Sequence, residues 1–192
     1  MHGNTKMNGN TSRVTMLKYA TAFAVLIAGN AWAVSADAAT YAKFSVGQSD
    51  AELNGIDLGD GLAYGAGLGT NVGPVRVEAG VDHIAGTLNF GPTIEATALD
   101  YHATAYLDLP VGNANLFAGA GLDYVDGEAS FFGNTLSAEG DGWHWAVGAS
   151  YRLAEGLTGE AQFRQISADL DSDFGPVDLD ASVVTIGLRL AL

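Results

Sequence analysis

The sequence contains no cysteine and little positive charge. Without cysteine among its 192 residues, a disulfide scaffold, a thiolate metal site and a cysteine nucleophile are all excluded. Lysine and arginine number 8 against 22 aspartate and glutamate residues, which gives a net charge of -14. Because this charge would repel a phosphate backbone, nucleic acid is excluded as a general partner.

Long apolar runs are also missing. An uncharged apolar run follows Lys18 but covers only residues 19–28, whereas a helix needs about 20 residues to cross a bilayer. The run is typical of a signal-peptide core, since small residues follow it at Ala-x-Ala spacing, as at Ala36 and Ala38. We therefore expect residues 1–38 to be a signal peptide, with the true start near Met16, and residues 39–192 to form one domain. The alternative is a buried apolar helix of that domain.

The expected domain alternates with a period of two, which is the pattern of β-strands with two different faces. Eight such stretches occur, beginning near residues 42, 62, 75, 99, 116, 143, 160 and 184. Their connections are turn-like at 71–74, 110–115 and 155–157, and longer and acidic at roughly 49–60, 85–95, 126–141 and 168–180. We expect the acidic segments to be loops. The fold class expected is all-β, an eight-stranded antiparallel up-and-down transmembrane β-barrel.

The apolar face of these strands carries bulky side chains such as Trp145 and Phe163, while the other face is rich in Gly, Ala and Ser. Because the interior of an eight-stranded barrel is just wide enough for side chains to fill, the bulky face is expected to contact lipid. A soluble periplasmic ligand-binding barrel with the opposite packing is the alternative. Aromatic residues near the strand ends are expected to form interfacial girdles: Tyr41, Tyr64, Tyr101, Tyr124, Trp143, Trp145 and Tyr151.

Charged residues on the strands fall on the inward face. The cations are Lys43, Arg76, Arg152, Arg164 and Arg189, and the acids are Glu78, Asp82, Asp100, Asp108, Asp123 and Glu160. Since an unpaired charge in a narrow lumen is costly, we expect a network of ion pairs that closes the pore.

The last acidic segment suggests a metal site. Its carboxylates share the outward register of two hairpin arms: Asp169, Asp171, Asp173, Asp178 and Asp180. Such oxygen ligands suit Ca²⁺ or Mg²⁺, which would bridge to lipopolysaccharide phosphates. The alternative is a solvated acidic rim that keeps the loops soluble. No other cofactor is expected.

Three segments carry a resemblance to a known family. Gly61–Gly69 followed by Val75–Asp82 resembles the glycine-rich second strand and the Arg/Glu-bearing third strand of small eight-stranded outer-membrane β-barrels, the OmpA-type, OmpX and opacity-like "porin family" proteins. The alternation Val184–Leu192 resembles the terminal strand that the barrel assembly machinery recognises. The resemblance implies a protein of the cell outer membrane with a surface or structural role. A monomer is expected, although the sequence leaves the oligomeric state open. Its partners would be outer-membrane lipid, lipopolysaccharide and the assembly machinery.

Catalysis has no clear carrier in the sequence. No spacing among its histidines, serines and carboxylates singles out a nucleophile, a base and an orienting group, so we expect no catalytic residues. An outer-membrane barrel enzyme acting on lipid, as some eight-stranded members are, is the alternative function.

Overall fold

The computed structural model describes residues 40–89, 93–131, 134–172 and 175–192. The expected signal peptide at 1–38 and the candidate ligand Asp173 lie outside the described residues. In the described part of the chain, no helix is long and apolar enough to cross a membrane.

Eight antiparallel strands close into an up-and-down barrel, which confirms the expected fold class. The strands are β1 Thr40–Leu53, β2 Ile56–Val72, β3 Val75–Asn89, β4 Thr93–Val111, β5 Ala114–Phe131, β6 Asn134–Ala154, β7 Leu157–Ser172 and β8 Gly175–Ala191. Each strand pairs with the next, and β8 pairs back onto β1. Closure satisfies the backbone groups that an open sheet would leave at its edges.

One end of the barrel carries three tight turns, at the positions expected from the sequence. Gly73, Gly112 and Gly156 have φ angles of 62°, 64° and 72°, in the left-handed region that favours glycine. Thr40 and Leu192 lie at this end too, where the amide of Leu192 donates to the carbonyl of Thr40 at 2.9 Å. We call it the turn end.

The expected acidic loops at the opposite end are wrong: these segments continue the strands. β6 runs for 21 residues, where about ten were expected. β1 and β2 are joined by Asn54 and Gly55 alone, with φ angles of 51° and 74°, the positive pair typical of a two-residue hairpin turn. The turn also contacts β8, because the Asn54 amide donates to the Asp178 carbonyl and the Asp178 amide donates to Asn54 Oδ1, both at 2.9 Å.

The strands are taller than a membrane requires. Strands of 14 to 21 residues, rising about 3.3 Å per residue and tilted about 40°, stand roughly 35–55 Å high, against an apolar band of about 25 Å in outer-membrane barrels. Part of the barrel must therefore lie beyond the hydrocarbon.

The alternation of polarity reverses along the strands, and β7 shows it clearly. Toward the turn end its buried residues are polar, Glu160, Gln162 and Arg164, and its outward residues include Ala161 and Phe163. Farther along, the buried residues are Ile166, Ala168 and Leu170, and the outward ones are Ser167, Asp169 and Asp171. The acidic segments form strands because every second residue is still apolar and packs inside.

This reversal divides the barrel into two parts. We call the part with apolar outward residues the membrane band; these residues include Leu68, Leu107, Leu122, Val147 and Ile186. We call the part with acidic outward residues the collar; these residues include Glu52, Asp126, Glu128, Asp141, Asp169, Asp171, Asp178 and Asp180.

The collar has an apolar core. Ile166 and Val183 are 1% and 2% exposed and pack with Ala63 and Ala181. A second cluster joins Val125, Ala168 and Leu170, with Leu53 and Leu179 packed against it. The collar is therefore built like a soluble barrel, whereas the core of the membrane band is polar.

Candidate functional site

Charged side chains fill the lumen of the membrane band in two groups. The lower cluster lies toward the turn end, where Lys43 Nζ is 2.9 Å from carboxylate oxygens of both Glu78 and Glu160. Arg76 pairs with Glu78 at 3.1 Å and with Asp108 at 3.2 Å. Its members are Lys43, Arg76, Glu78, Asp108, Glu160 and Arg189.

Aromatic rings hold the central arginine of the lower cluster. The guanidinium carbon of Arg76 lies 3.9 Å from the ring centroid of Tyr106 and 4.7 Å from that of Phe117. Cation–π contacts are strongest when desolvated, and Arg76 is fully buried. Glycine makes room for the rings: a Cβ at Gly148 would collide with Phe117. This stacking was not expected from the sequence, although both rings lie on the inward face.

The middle cluster lies between the lower cluster and the apolar core of the collar. Arg164 Nη2 binds Asp82 at 2.6 Å and Asp100 at 2.7 Å. His102 Nδ1 is 3.6 Å from Asp82 and 4.0 Å from Asp100. The members of the middle cluster are Asp82, Asp100, His102, Thr104, Asp123, His144 and Arg164.

Three members of the middle cluster have the connectivity of a catalytic triad. His144 Nδ1 is 2.8 Å from Asp123, and His144 Nε2 is 2.9 Å from the Thr104 hydroxyl. However, all three residues are at most 4% exposed. The cavity found beside the cluster holds about 20 Å³, room for about one water, and does not include Thr104 or His144 in its lining. Among the described residues, the hydroxyl therefore faces other lumen side chains, and the chain of hydrogen bonds holds these side chains in place.

The expected network residues lie in these two clusters, with one exception. Arg152 is exposed beside the β6–β7 turn, where the register shifts between Arg152 and Ala154. Arg152 still pairs with Thr158 ahead of this shift and keeps the inward parity, but its side chain is exposed at the rim. No ion pair among the described residues joins it to either cluster, so its assignment to the network is wrong.

One aromatic residue was also assigned to the wrong face. Tyr41 is 4% exposed, and its hydroxyl donates to Glu78 at 2.9 Å inside the lumen. It shares the parity of Lys43, two residues along the same strand, which is why it cannot face lipid. The other girdle residues lie on the outer wall: Tyr64, Tyr101, Tyr124, Trp143, Trp145 and Tyr151.

The described candidate metal ligands face outward on the collar. Asp169, Asp178 and Asp180 line a groove of about 280 Å³ on the outer wall, together with Asp141 and Trp143. Asp169 and Asp178 are direct cross-strand neighbours. Asp171 is exposed on β7 but does not line this groove.

Comparisons with known proteins place this architecture. The sequence matches the family described as "Outer membrane protein beta-barrel domain" over residues 19–190. The search of curated proteins finds no match.

Solved structures resemble the barrel at low sequence identity. Neisserial surface protein A has a TM-score of 0.68 at 14% identity, covering 80% of this chain and 97% of its own. Ail, the attachment invasion locus protein of Yersinia pestis, in complex with the heparin analogue sucrose octasulfate, has a TM-score of 0.50 at 13% identity, with 79% and 99% covered. A major outer membrane protein from Thermus thermophilus has a TM-score of 0.50 at 12% identity, with 81% and 100% covered. These likenesses show the fold, and because the family match spans most of the sequence, the chain belongs to the outer membrane protein β-barrel domain family.

Proposed function

We propose that the protein is embedded in the outer membrane, where it has a structural or surface role and does not act as an enzyme. Its lumen is closed, and its collar stands outside the cell and binds divalent cations. The observation that carries this proposal is the reversal of polarity along the strands. Apolar side chains face outward where lipid would lie, and carboxylates face outward beyond it.

The orientation follows from the turns. In bacterial outer-membrane barrels the short turns are periplasmic, and the longer segments are extracellular. The turn end is therefore periplasmic, and the collar is the part that meets the lipopolysaccharide layer.

Three features support a closed lumen. The lower cluster is ion-paired and buried, the middle cluster lies directly above it, and the apolar core of the collar covers both. An eight-stranded barrel leaves an interior that side chains can fill. Purified protein in planar bilayers is expected to show no conductance above background, and stable conductance steps would contradict closure.

The groove supports cation binding at the collar. Its carboxylates offer hard oxygen ligands of the kind that Ca²⁺ and Mg²⁺ prefer. A divalent ion held there would bridge to lipopolysaccharide phosphates. Ail is reported in complex with sucrose octasulfate, a polyanion. On this acidic collar an anionic ligand needs such an intervening cation.

The position of the collar is tested by cysteine labelling, for which the natural absence of cysteine is ideal. On intact cells, a membrane-impermeant maleimide is expected to label Glu128→Cys in the collar. It should leave Leu122→Cys in the membrane band and Asn113→Cys at the turn end unlabelled. Labelling of Asn113→Cys alone would reverse the orientation, and labelling of all three would contradict insertion.

Cation binding is tested by calorimetry with Ca²⁺ and with Mg²⁺. The triple variant Asp169→Asn, Asp178→Asn, Asp180→Asn is expected to lose the binding heat. A control that changes collar acids outside the groove, Glu52→Gln with Glu128→Gln, should retain it. Absence of binding by the natural protein would show that the collar is only a solvated rim.

The triad-like connectivity in the lumen keeps a lipid-modifying enzyme as the second candidate. Lipid A from expressing and non-expressing cells, compared by mass spectrometry, is expected to be identical. A modified lipid A that disappears with Thr104→Val would establish the enzyme instead.

A further inference from the structure

Two buried atoms of the middle cluster lack a hydrogen-bond partner. They are His102 Nδ1 and Asp100 Oδ1, and neither makes a hydrogen bond with another described residue. The side chain of His102 is 8% exposed and that of Asp100 has no exposed surface, so bulk water does not satisfy these atoms. Leaving a buried polar atom without a partner is costly, and in native proteins such an atom often marks a bound water or ion.

Both atoms belong to a group of side chains with the spacing of metal ligands. Asp82 and Asp100 are direct cross-strand partners on β3 and β4, and His102 follows Asp100 on the same inward face. One oxygen of each carboxylate and a ring nitrogen of His102 lie within 4.8 Å of one another. The Nδ1 atom is 3.6 Å from Asp82 Oδ2 and 4.0 Å from Asp100 Oδ2. Ligands bound to one zinc ion at about 2.0–2.2 Å lie about 3.3–3.6 Å apart, so small side-chain shifts bring these three to ligand distance.

The charge balance of the lumen favours a bound cation at this place. In the lower cluster three cations face three carboxylates, so it is neutral. In the middle cluster Asp82, Asp100 and Asp123 face Arg164, the one permanent cation among its described members. With both histidine rings neutral, the middle cluster carries two excess negative charges. A divalent cation would balance them.

Arg164 leaves the two carboxylates able to bind an ion. Its Nη2 atom donates to Asp82 at 2.6 Å and to Asp100 at 2.7 Å, in each case to Oδ2. An ionised carboxylate offers two oxygens with about four lone-pair sites, so it can accept from the guanidinium and also coordinate a metal. Carboxylates that bind a metal are themselves hydrogen-bonded, and Arg164 would hold both ligands in place in this way.

A small cavity adjoins the group. It holds about 20 Å³, room for about one water, and its lining includes Asp82, His102 and Arg164. Lys43 also lines it, but that ammonium is paired within the lower cluster. A water in this cavity could complete the coordination of an ion that has three protein ligands.

We propose that the lumen binds one Zn²⁺ ion through Asp82, Asp100 and His102. An imidazole nitrogen together with carboxylate oxygens suits Zn²⁺, whereas Ca²⁺ and Mg²⁺ prefer oxygen ligands alone. This site therefore differs in its donor atoms from the collar groove, whose charged ligands are all carboxylates. The ion would join β3 and β4 to the middle of the lumen and neutralise the excess charge there.

The test counts the zinc bound by the protein. Because the site is buried, the protein is refolded in the presence of Zn²⁺, desalted and analysed by mass spectrometry for the metal. His102→Gln is expected to hold about one ion fewer per barrel than the natural protein. His83→Gln is the matched control, because His83 lies on the outer wall, stacked on Tyr64 at 4.8 Å, and it should hold as much zinc as the natural protein.

The triple collar variant described above separates this site from the groove. Adding His102→Gln to it is expected to remove about one further ion. Zinc that only the collar substitutions remove would overturn the lumen site and leave the collar proposal standing. Equal zinc contents in His102→Gln and the natural protein would also overturn it.

A second measurement uses only the natural protein. In crystals of protein refolded with Zn²⁺, an anomalous difference map collected at the zinc absorption edge should show a peak between Asp82 and His102. A map without a peak in the lumen would refute the site and would show that protons neutralise the middle cluster.

Discussion

The membrane band and the collar are made by the same eight strands, yet they place opposite side chains inside. The band buries ion pairs and exposes Leu107 and Ile186, whereas the collar buries Ile166 and exposes Asp171. The backbone ladder runs through both without interruption. The backbone hydrogen bonds of the barrel are therefore the same in both parts. What differs is the polarity of the outward face, which matches lipid in the membrane band and water in the collar.

The largest difference between the membrane band and the collar is expected in the unfolding free energy that is lost when a carboxylate is removed. Glu160→Ala removes the carboxylate partner of buried Arg189 and leaves Lys43 with Glu78 alone, which costs about 3–5 kcal/mol of unfolding free energy. Asp171→Ala removes an exposed collar carboxylate and should leave the stability nearly unchanged. Urea unfolding in phospholipid vesicles measures both. Equal losses would mean that the inside of the band and the outside of the collar are not different environments.

A smaller difference is expected for an arginine introduced on the outer wall of β8. Ile186→Arg places a charge against hydrocarbon and is expected to cost about 2–4 kcal/mol if the residue lies near the bilayer midplane. Asp178→Arg, on the same face in the collar, meets water instead. The same unfolding assay should find it close to the natural protein, and a loss as large as that of Ile186→Arg would place the collar in the membrane.

The smallest difference in unfolding free energy is expected between alanine substitutions at two neighbouring valines. Val183 points into the apolar core and is 2% exposed, while Val184 points outward and is 56% exposed. Val183→Ala removes two buried methyl groups and is expected to cost about 1.5 kcal/mol. Val184→Ala changes a side chain that faces lipid in both proteins, so it should cost less unfolding free energy. A reversed order would show that the described faces are interchanged.

Much of the fold could be predicted from the sequence because period-two alternation reports strands directly. The number of strands, the turns at Gly73, Gly112 and Gly156, and the inward register of Arg76 and Glu160 all follow from it. These features depend only on which face a residue occupies.

The length of the strands was missed because the alternation changes sign. Apolar residues continue at every second position, at Val177, Leu179 and Ala181. Here, however, they alternate with Asp178 and Asp180. Acidic residues suggested a loop, although the period was still that of a strand. A test for period alone, without assuming which face is apolar, finds the collar.

The sequence alone does not predict which charged residues pair with each other in the lumen clusters. The pairing of Arg164 with Asp82 and Asp100 depends on the shear of the barrel, which brings β7 opposite β3 and β4. Tyr41 was misplaced because its aromatic character outweighed its parity. Arg152 was misplaced because parity alone does not show that an inward residue at the rim is exposed to solvent.

Hydrogen bonds close the seam between β1 and β8 at both of its ends. Asn54 bonds to Asp178 at one end, and Leu192 bonds to Thr40 at the other. A barrel can open laterally at this seam if the two strands separate from one end. Here the backbone is hydrogen-bonded at both ends, so separation has no unpaired end from which to begin. Lipid cannot slip through the wall at this line, and no foreign strand finds an unpaired backbone to join.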